Sequence, residues 1–444
     1  MRTRLRYIFC LLVPIVCFAD DNASIGPESC APHVTAASGD RGIITLKGSL
    51  QAGLAHRPEL AVAECEIRAA DGRLLQAGLR PNPEVAAEVQ DFAGSGLRRG
   101  FQSTETTLQV SQLIELGRKR AKRQHLASSE RDLSIWDKEA KRLDVITDIR
   151  RAFIDVLASQ ARVALAEDLA ALAKSVLVGV TEMVKAGKVS PIEQSRATVA
   201  MNRADLTVFE MQSQLKVARQ HLAMQWGDAD AKFERADGVL GSLPARPELS
   251  DLVQQIKDHP ALARWPDEMQ RRSSELALAA AGAVPDLAVS GGIRHFADND
   301  DLGVVVGVSI PLPFFNRNQG AILTAQANMD AADASFEVAR RTLLTAIYDQ
   351  YQALNTAAVA EESLRRDTLP LATQVFEATT TGYRQGKFGL LDVLDAQRIL
   401  FESRTQYVEA EAGYQIAIAE LERLTARSMA GVAKDHNSGT GETP

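Results

Sequence analysis

Aromatic residues are scarce in this chain. They make up 5% of its 444 residues, while hydrophobic residues as a whole reach 45%. So small a share is poor material for a compact core and suits long helices rich in Ala, Leu, Glu and Arg. Positive charge is not in excess either. The formal net charge of −7 supplies no global basic field, so nucleic acid is not an expected partner. Beyond the N-terminus no stretch offers about 18 consecutive apolar residues, and no transmembrane helix is expected in the mature chain. The seven histidines are scattered, no pair of them stands at metal-ligand spacing on a helix, methionines do not cluster and no CxxC occurs. No cofactor or resident metal is therefore expected. Nucleophile–base constellations, phosphate-cradling loops and HExxH are also missing, which leaves an enzyme reading without residues to carry it.

What is present begins with an address. "MRTRLR" supplies three arginines, "YIFCLLVPIVCF" an apolar run, and "CFADD" a cleavage point after Ala19. Residues 1–19 read as a secretory signal peptide, too short to span a bilayer as a helix. Cys10 and Cys17 leave with it; "PIVC" lacks the small residue expected before a lipidated cysteine. Cys30 and Cys65 remain in an oxidising compartment and could pair, though two cysteines make no framework.

The chain then repeats itself at an offset of about 200 residues. "AHRPELAVA" (Ala55 to Ala63) has an echo in "KDHPALARW" (Lys257 to Trp265), and "RPNPEVAAEVQDF" (Arg80 to Phe92) in "GAVPDLAVSGGIRHF" (Gly282 to Phe296). "TLQVSQLIELGRKRAKR" (Thr107 to Arg123) lines up with "VVVGVSIPLPFFNRNQG" (Val304 to Gly320), and "VKAGKVSPIEQSRA" (Val184 to Ala197) with "YRQGKFGLLDVLDA" (Tyr383 to Ala396). Four matches in one order give two copies of one unit, residues 46–227 and 249–430. They are flanked by an N-terminal segment 20–45 and a disordered tail 431–444, and separated by a Gly-, Pro- and charge-rich linker 228–248.

Each copy predicts the same elements. A helix comes first, roughly Leu46 to Leu79 and Leu249 to Ala281, closed by a proline that cannot continue it. Two short strands follow; Val304, Val306, Val308 and Ile310 alternate, which sets one apolar face against something. A very long helix succeeds them, since neither Gly nor Pro occurs from Arg118 to Val178 or from Ala321 to Leu369. Some 65 helical residues reach roughly 100 Å, a length that points to coiled-coil packing. A glycine turn then sends the chain back through Pro191 to Trp226 and Leu390 to Thr425.

Four strands cannot close a barrel, and an open sheet has exposed edges. The strands have about the length that crosses a bilayer at a tilt. Strands of several copies could pool into one barrel from which the helix pairs project. A soluble periplasmic coiled-coil protein with two small sheets is the alternative that pattern leaves open.

The duplication, "VSIPLPFFNRNQGAI", "IELGRKRAKR" and "GKFGLLDVLDAQ" together resemble the TolC-type outer-membrane efflux proteins, over nearly all of the mature chain. The "PLPFFNRNQG" form is similar to the heavy-metal (cobalt–zinc–cadmium) subgroup. The resemblance implies a mainly α fold with a small β part: a homotrimer whose twelve strands form one barrel in outer-membrane lipid, above a helical periplasmic tunnel. It implies a periplasmic adaptor and an RND-type inner-membrane pump as partners, and export of small solutes, divalent metal cations first. Drug efflux or type I protein secretion by the same fold is the rival.

In that architecture the glycine turns lie at the periplasmic tips. Asp392 and Asp395 match the family's acidic positions at the tunnel mouth, share a helix face, and in three copies would place up to six carboxylates around one constriction. Glu193 and Arg196 hold the equivalent offsets in the first copy, and Arg196 could pair across to an aspartate. Acids at a helix start meeting the helix dipole are the alternative. The turns themselves, Gly187, Lys188, Val189 and Ser190 with Gly386, Lys387, Phe388 and Gly389, are the candidate adaptor docking sites; Val189 and Phe388 are apolar where a solvated loop needs no apolar residue, the alternative being that both fold back into the helix pair. "RKRAKR" (Arg118 to Arg123), where strand becomes helix, suggests lipid phosphates or plain solvation.

Overall fold

The computed structural model describes residues 42–427. The expected signal peptide, Cys30, most of the N-terminal segment and the tail lie outside the described residues. Cys65 is disulfide-bonded.

The first copy runs β1 (Ile43–Thr45), α1 (Leu46–His56), α2 (Pro58–Gly78), β2 (Glu84–Gln90), β3 (Glu105–Ile114), α3 (Lys119–Lys185) and α4 (Pro191–Met224). A short strand β4 (Arg235–Asp237) leads to α5 (Leu249–Gln255), α6 (Pro260–Ala263), α7 (Trp265–Ala281), β5 (Leu287–Phe296), β6 (Asp301–Ser309), α8 (Gln319–Ser363), α9 (Leu369–Arg384) and α10 (Leu390–Thr425).

The first helix of each copy is broken where one continuous helix was expected. Arg57 is extended (φ −68°, ψ 120°) and Pro58 restarts the helix at its first position. His259 (φ −67°, ψ 134°) and Pro260 do the same in the second copy, after a 3₁₀ turn at Ile256–Asp258. The residue before a proline is pushed out of the α region, while the proline itself suits a first turn.

α3 is one helix of 67 residues, roughly 100 Å long. Its counterpart is interrupted: a π-helical turn, Leu364–Thr368, separates α8 from α9. Pro370 follows directly, and its missing N–H is accommodated by the wider turn. Small buried residues recur every seven positions: Ala166, Ala173 and Val180 on α3, Ala197 and Ala204 on α4, Ala325 and Ala332 on α8. That period is a coiled-coil seam, and alanine in it brings the helix axes close.

Midway along the helices, β1 and β4 pair in parallel. The side-chain amide of Gln160 donates to the Ala236 carbonyl (3.0 Å) and accepts its N–H (2.8 Å). Phe233, Ala236 and Leu240 are buried there against Phe153, Leu157 and Leu222. The segment expected as a linker is thus seated on the helices, with Phe233, Ala236 and Leu240 buried between the exposed polar residues that marked it as a loop.

The other strands form one antiparallel sheet in the order β2-β3-β5-β6. Pairing of β3 with β5 joins the two copies, and the row Ala87, Leu108, Ile293, Val304 crosses all four strands. On that face Val85, Leu108, Val110, Ile293, Val304 and Val306 are exposed, Val304 at 81%. The opposite face carries Glu88, Gln109, Ser111 and Ser290, with Arg294 paired to Glu105 at 2.9 Å. Among the described residues nothing covers the apolar face, and the outer edges of β2 and β6 have no partner strand. Among the described residues no helix is long and apolar enough to cross a membrane.

Candidate functional site

The two hairpin ends have the same backbone. Gly187 (φ 68°) and Gly386 (φ 72°) are left-handed, a conformation that glycine adopts without the Cβ penalty. The Lys188 N–H donates to the Met183 carbonyl and the Gly187 N–H to Val184, both at 2.9 Å; Lys387 to Gly382 (2.8 Å) and Gly386 to Tyr383 (3.0 Å) repeat the pattern. This is a Schellman ending, in which helix carbonyls left over at the C-terminus are satisfied. Both apical lysines are exposed.

The returning helices are capped differently. The Ile192 N–H donates to Ser190 Oγ at 3.4 Å, with Pro191 in the first turn of α4. For α10 the Gly389 N–H donates to Asp392 Oδ2 at 2.8 Å. Asp392 therefore holds the first turn of its helix and meets the positive end of the helix dipole. Asp395 lies one turn further and pairs with Arg398 at 2.8 Å, which also reaches Glu402 at 3.0 Å. These side chains are exposed, so solvent screens the pairs and they add little. They leave the face with net negative charge.

Glu193 is occupied within the chain. The buried Tyr383 phenol, on α9, donates to Glu193 Oε2 on α4 at 2.8 Å, tying one hairpin to the other. Burial and the Glu193 carboxylate both push the Tyr383 phenol up, so it stays a donor across the physiological range. Arg196 is exposed and pairs with neither aspartate in the chain; Asp395 is taken by Arg398.

Val189 is half-buried, while Phe388 is 47% exposed. One edge of the Phe388 ring lies over Gly382, where an added Cβ would come 2.3 Å from Cδ2. The ring is therefore partly folded back and partly on show. Above the ends, Val180, Phe376, Tyr383, Leu390 and Val393 form one core shared by all four helices. Beside it a groove of 540 Å³ runs between α3 and α9. Among the described residues no three His, Cys, Asp or Glu side chains gather in a group that could hold a metal ion.

Sequence reasoning brought Asp392, Asp395, Glu193 and Arg196 to one end of the molecule, and the structure places them there. It missed Tyr383. The signal was available: Tyr383 stands where the first copy has Val184, and a tyrosine at an apolar position must find an acceptor for its hydroxyl.

The family model for outer membrane efflux proteins matches residues 50–228 and 252–427. The chain is 33% identical over 387 residues to the cobalt-zinc-cadmium resistance protein CzcC of Cupriavidus metallidurans, covering 87% of this chain and 91% of that one. It is 24% identical to the nickel-cobalt-cadmium resistance protein NccC of Alcaligenes xylosoxydans xylosoxydans, over 66% of each chain. Among solved structures, a membrane protein from Pseudomonas aeruginosa superposes with a TM-score of 0.73 at 18% identity, over 86% of this chain and 90% of that one. CusC, described by its crystallographers as forming a transmembrane channel, superposes with a TM-score of 0.71 at 16% identity, over 86% and 91%.

Proposed function

The chain belongs to the outer membrane efflux protein family, and from that premise we propose that it is the exit duct of a tripartite pump for divalent heavy-metal cations. The observation that carries the reading is the open sheet. It has an uncovered apolar face, a polar opposite face and two unpaired edges. Three copies close such a sheet into twelve strands with the apolar face toward lipid and the Glu88, Gln109, Ser111 and Arg294 side toward water. The strands pass directly into α3 and α8, so the barrel continues as a helical tunnel.

The tip acids then act as a cation-selective mouth. Asp392 and Asp395 of three copies crowd like charge around one constriction, which favours cations and repels anions. Opening parts the second hairpin from the first and breaks the Tyr383–Glu193 bond, the one polar tie seen between α9 and α4. Arg196, which has no ion-pair partner among the described residues, is placed to meet a carboxylate of the neighbouring copy in the closed state. The Schellman tips, with exposed Lys188 and Lys387 and half-exposed Phe388, present the surface for the periplasmic adaptor, and an RND-type pump supplies the energy. The residues line a path and form no reacting constellation; the family is one of channel proteins rather than enzymes.

The metal-resistance relatives favour divalent cations as cargo over drugs or secreted protein. The test is expression with a cognate adaptor and pump in a host lacking its own duct. Restored tolerance to cobalt, zinc or cadmium, with the protein in the outer-membrane fraction as a trimer, is expected. Tolerance to organic drugs alone would replace the cargo, and recovery in the soluble periplasmic fraction would replace the duct.

A further inference from the structure

The start of α3 carries cations that its own fold does not use. Arg118, Lys119, Arg120, Lys122 and Arg123 stand within six residues. Two have carboxylate partners: Lys119 meets Asp286 at 2.8 Å and Arg123 meets Glu115 at 3.0 Å. Arg118, Arg120 and Lys122 have none among the described residues, and the first turn of α3 holds no acid. Cations are disfavoured at that end of a helix, where the backbone dipole is itself positive. Local energetics therefore count against them.

The second copy supplies an internal control. Asn318, the residue before α8, has the left-handed conformation of Arg118 (φ 57° against 56°). The same turn is built there with Asn318, Gln319, Gly320 and Ile322 where the first copy has Arg118, Lys119, Arg120 and Lys122, and the one cation beside it is Arg317, ahead of the helix. The turn does not need the charges, so they answer to something outside the chain.

The surroundings indicate what that is. Gly117 packs on Ala281 and Val284, and Asn318 on Ala279 and Gly282, so both turns flank one α7–β5 corner. The loop that ends at Asn318 exposes Leu312, Phe314 and Phe315, the last at 93%. Ile310 and Leu312, both exposed, follow the even-numbered apolar residues of β6 in sequence, and the Phe314 N–H donates to the Leu312 carbonyl in a tight turn beyond the strand. Apolar rings and unpaired cations thus sit together where the sheet gives way to the helices.

We propose that this rim is a binding surface for anionic phospholipid of the periplasmic leaflet, with Arg118, Arg120 and Lys122 on the headgroup phosphates and Phe314 and Phe315 in the acyl boundary. It rests on the barrel reading above, which sets the apolar sheet face in lipid. Aromatic rings at that depth anchor a barrel, and basic residues near an anionic surface each add to its attraction.

The experiment uses the full-length protein, delipidated in non-ionic detergent and titrated with fluorescent phosphatidylglycerol or phosphatidylcholine of equal chain length. Wild type is expected to bind phosphatidylglycerol on the order of tenfold tighter. Arg118→Gln with Arg120→Gln and Lys122→Gln is expected to bring the two lipids within about twofold. Phe314→Ser with Phe315→Ser is expected to weaken both lipids alike. An unchanged preference in the triple variant, or none in wild type, would overturn the proposal. Displacement by millimolar glycerol phosphate would assign the cations to a soluble phosphate and overturn the lipid surface. Insertion and conductance of the same preparations separate the two readings: channels with no lipid preference sink this proposal alone, and a wild type that does not insert sinks both.

Discussion

Replacing Tyr383 by Phe removes one oxygen and leaves the ring in its place among Phe376, Leu390 and Val393. The lost contact is the 2.8 Å bond to Glu193, a hydrogen bond to a charged group, of the class that contributes about 1.5–3 kcal/mol. Glu193 is only half-buried, so water recovers part of it, and about 1–2 kcal/mol per chain remains. That energy holds α9 against α4 and is absent once the hairpins part, so it enters the closed state alone. One latch then changes the open-to-closed ratio about 5- to 30-fold, and in the proposed trimer three acting together multiply that effect. The assay is open probability of single channels, with thermal unfolding as control. Tyr383→Phe raises the open fraction while the melting temperature stays within a few degrees, and Glu193→Ala does the same. An open fraction unchanged in both variants would refute the latch.

Three further outcomes follow from the same structure. Burial, with Arg423 nearby, pulls His259 down to about 4, and its Nδ1 accepts the Ala261 N–H at 3.1 Å, a role only the neutral ring can fill. The unfolded chain takes up this proton near pH 6.5 and the folded one does not, so stability is full above that pH and falls as pH drops toward 4. Wild type is expected to lose about 2 kcal/mol by pH 5 that His259→Asn, which keeps a cap acceptor, does not lose; unfolding at the two pH values checks it. Val306→Lys, on the uncovered apolar face, costs about 2–4 kcal/mol in a bilayer and blocks assembly of heat-resistant trimers, whereas Glu88→Lys on the opposite face leaves assembly intact. Gly386→Ala forces a Cβ into the left-handed region at φ 72°, costs about 1–2 kcal/mol, and weakens capture by the proposed adaptor through a displaced tip while the sheet end keeps its melting behaviour.

Much of this architecture is written in residue spacing. The length of α3 could be read from the glycines and prolines it lacks, and the duplication from matches at nearly constant offset that the paired left-handed residues Arg118 and Asn318 repeat in the backbone. Proline was the weaker guide. Pro58, Pro260 and Pro266 lie inside helical pattern, yet each stands at a first turn, so the pattern continued while the helix restarted. The π-helical turn before Pro370 had no signature apart from that proline. Strand β4 was hidden because Arg235 and Asp237 flank one buried alanine, too short a run to show alternation. At the tips, the acids were legible from their spacing of three, as was the Asp395–Arg398–Glu402 series in retrospect. The Tyr383–Glu193 bond was not, because it joins residues 190 apart through a packing of four helices that no local pattern encodes.

The duct itself is tested most directly by single-channel conductance of the purified protein in a planar bilayer, wild type beside Asp392→Ala with Asp395→Ala. The account predicts a small cation-selective current that grows, and loses block by divalent cations, when both carboxylates are removed. Well-folded protein that forms no channel would contradict it.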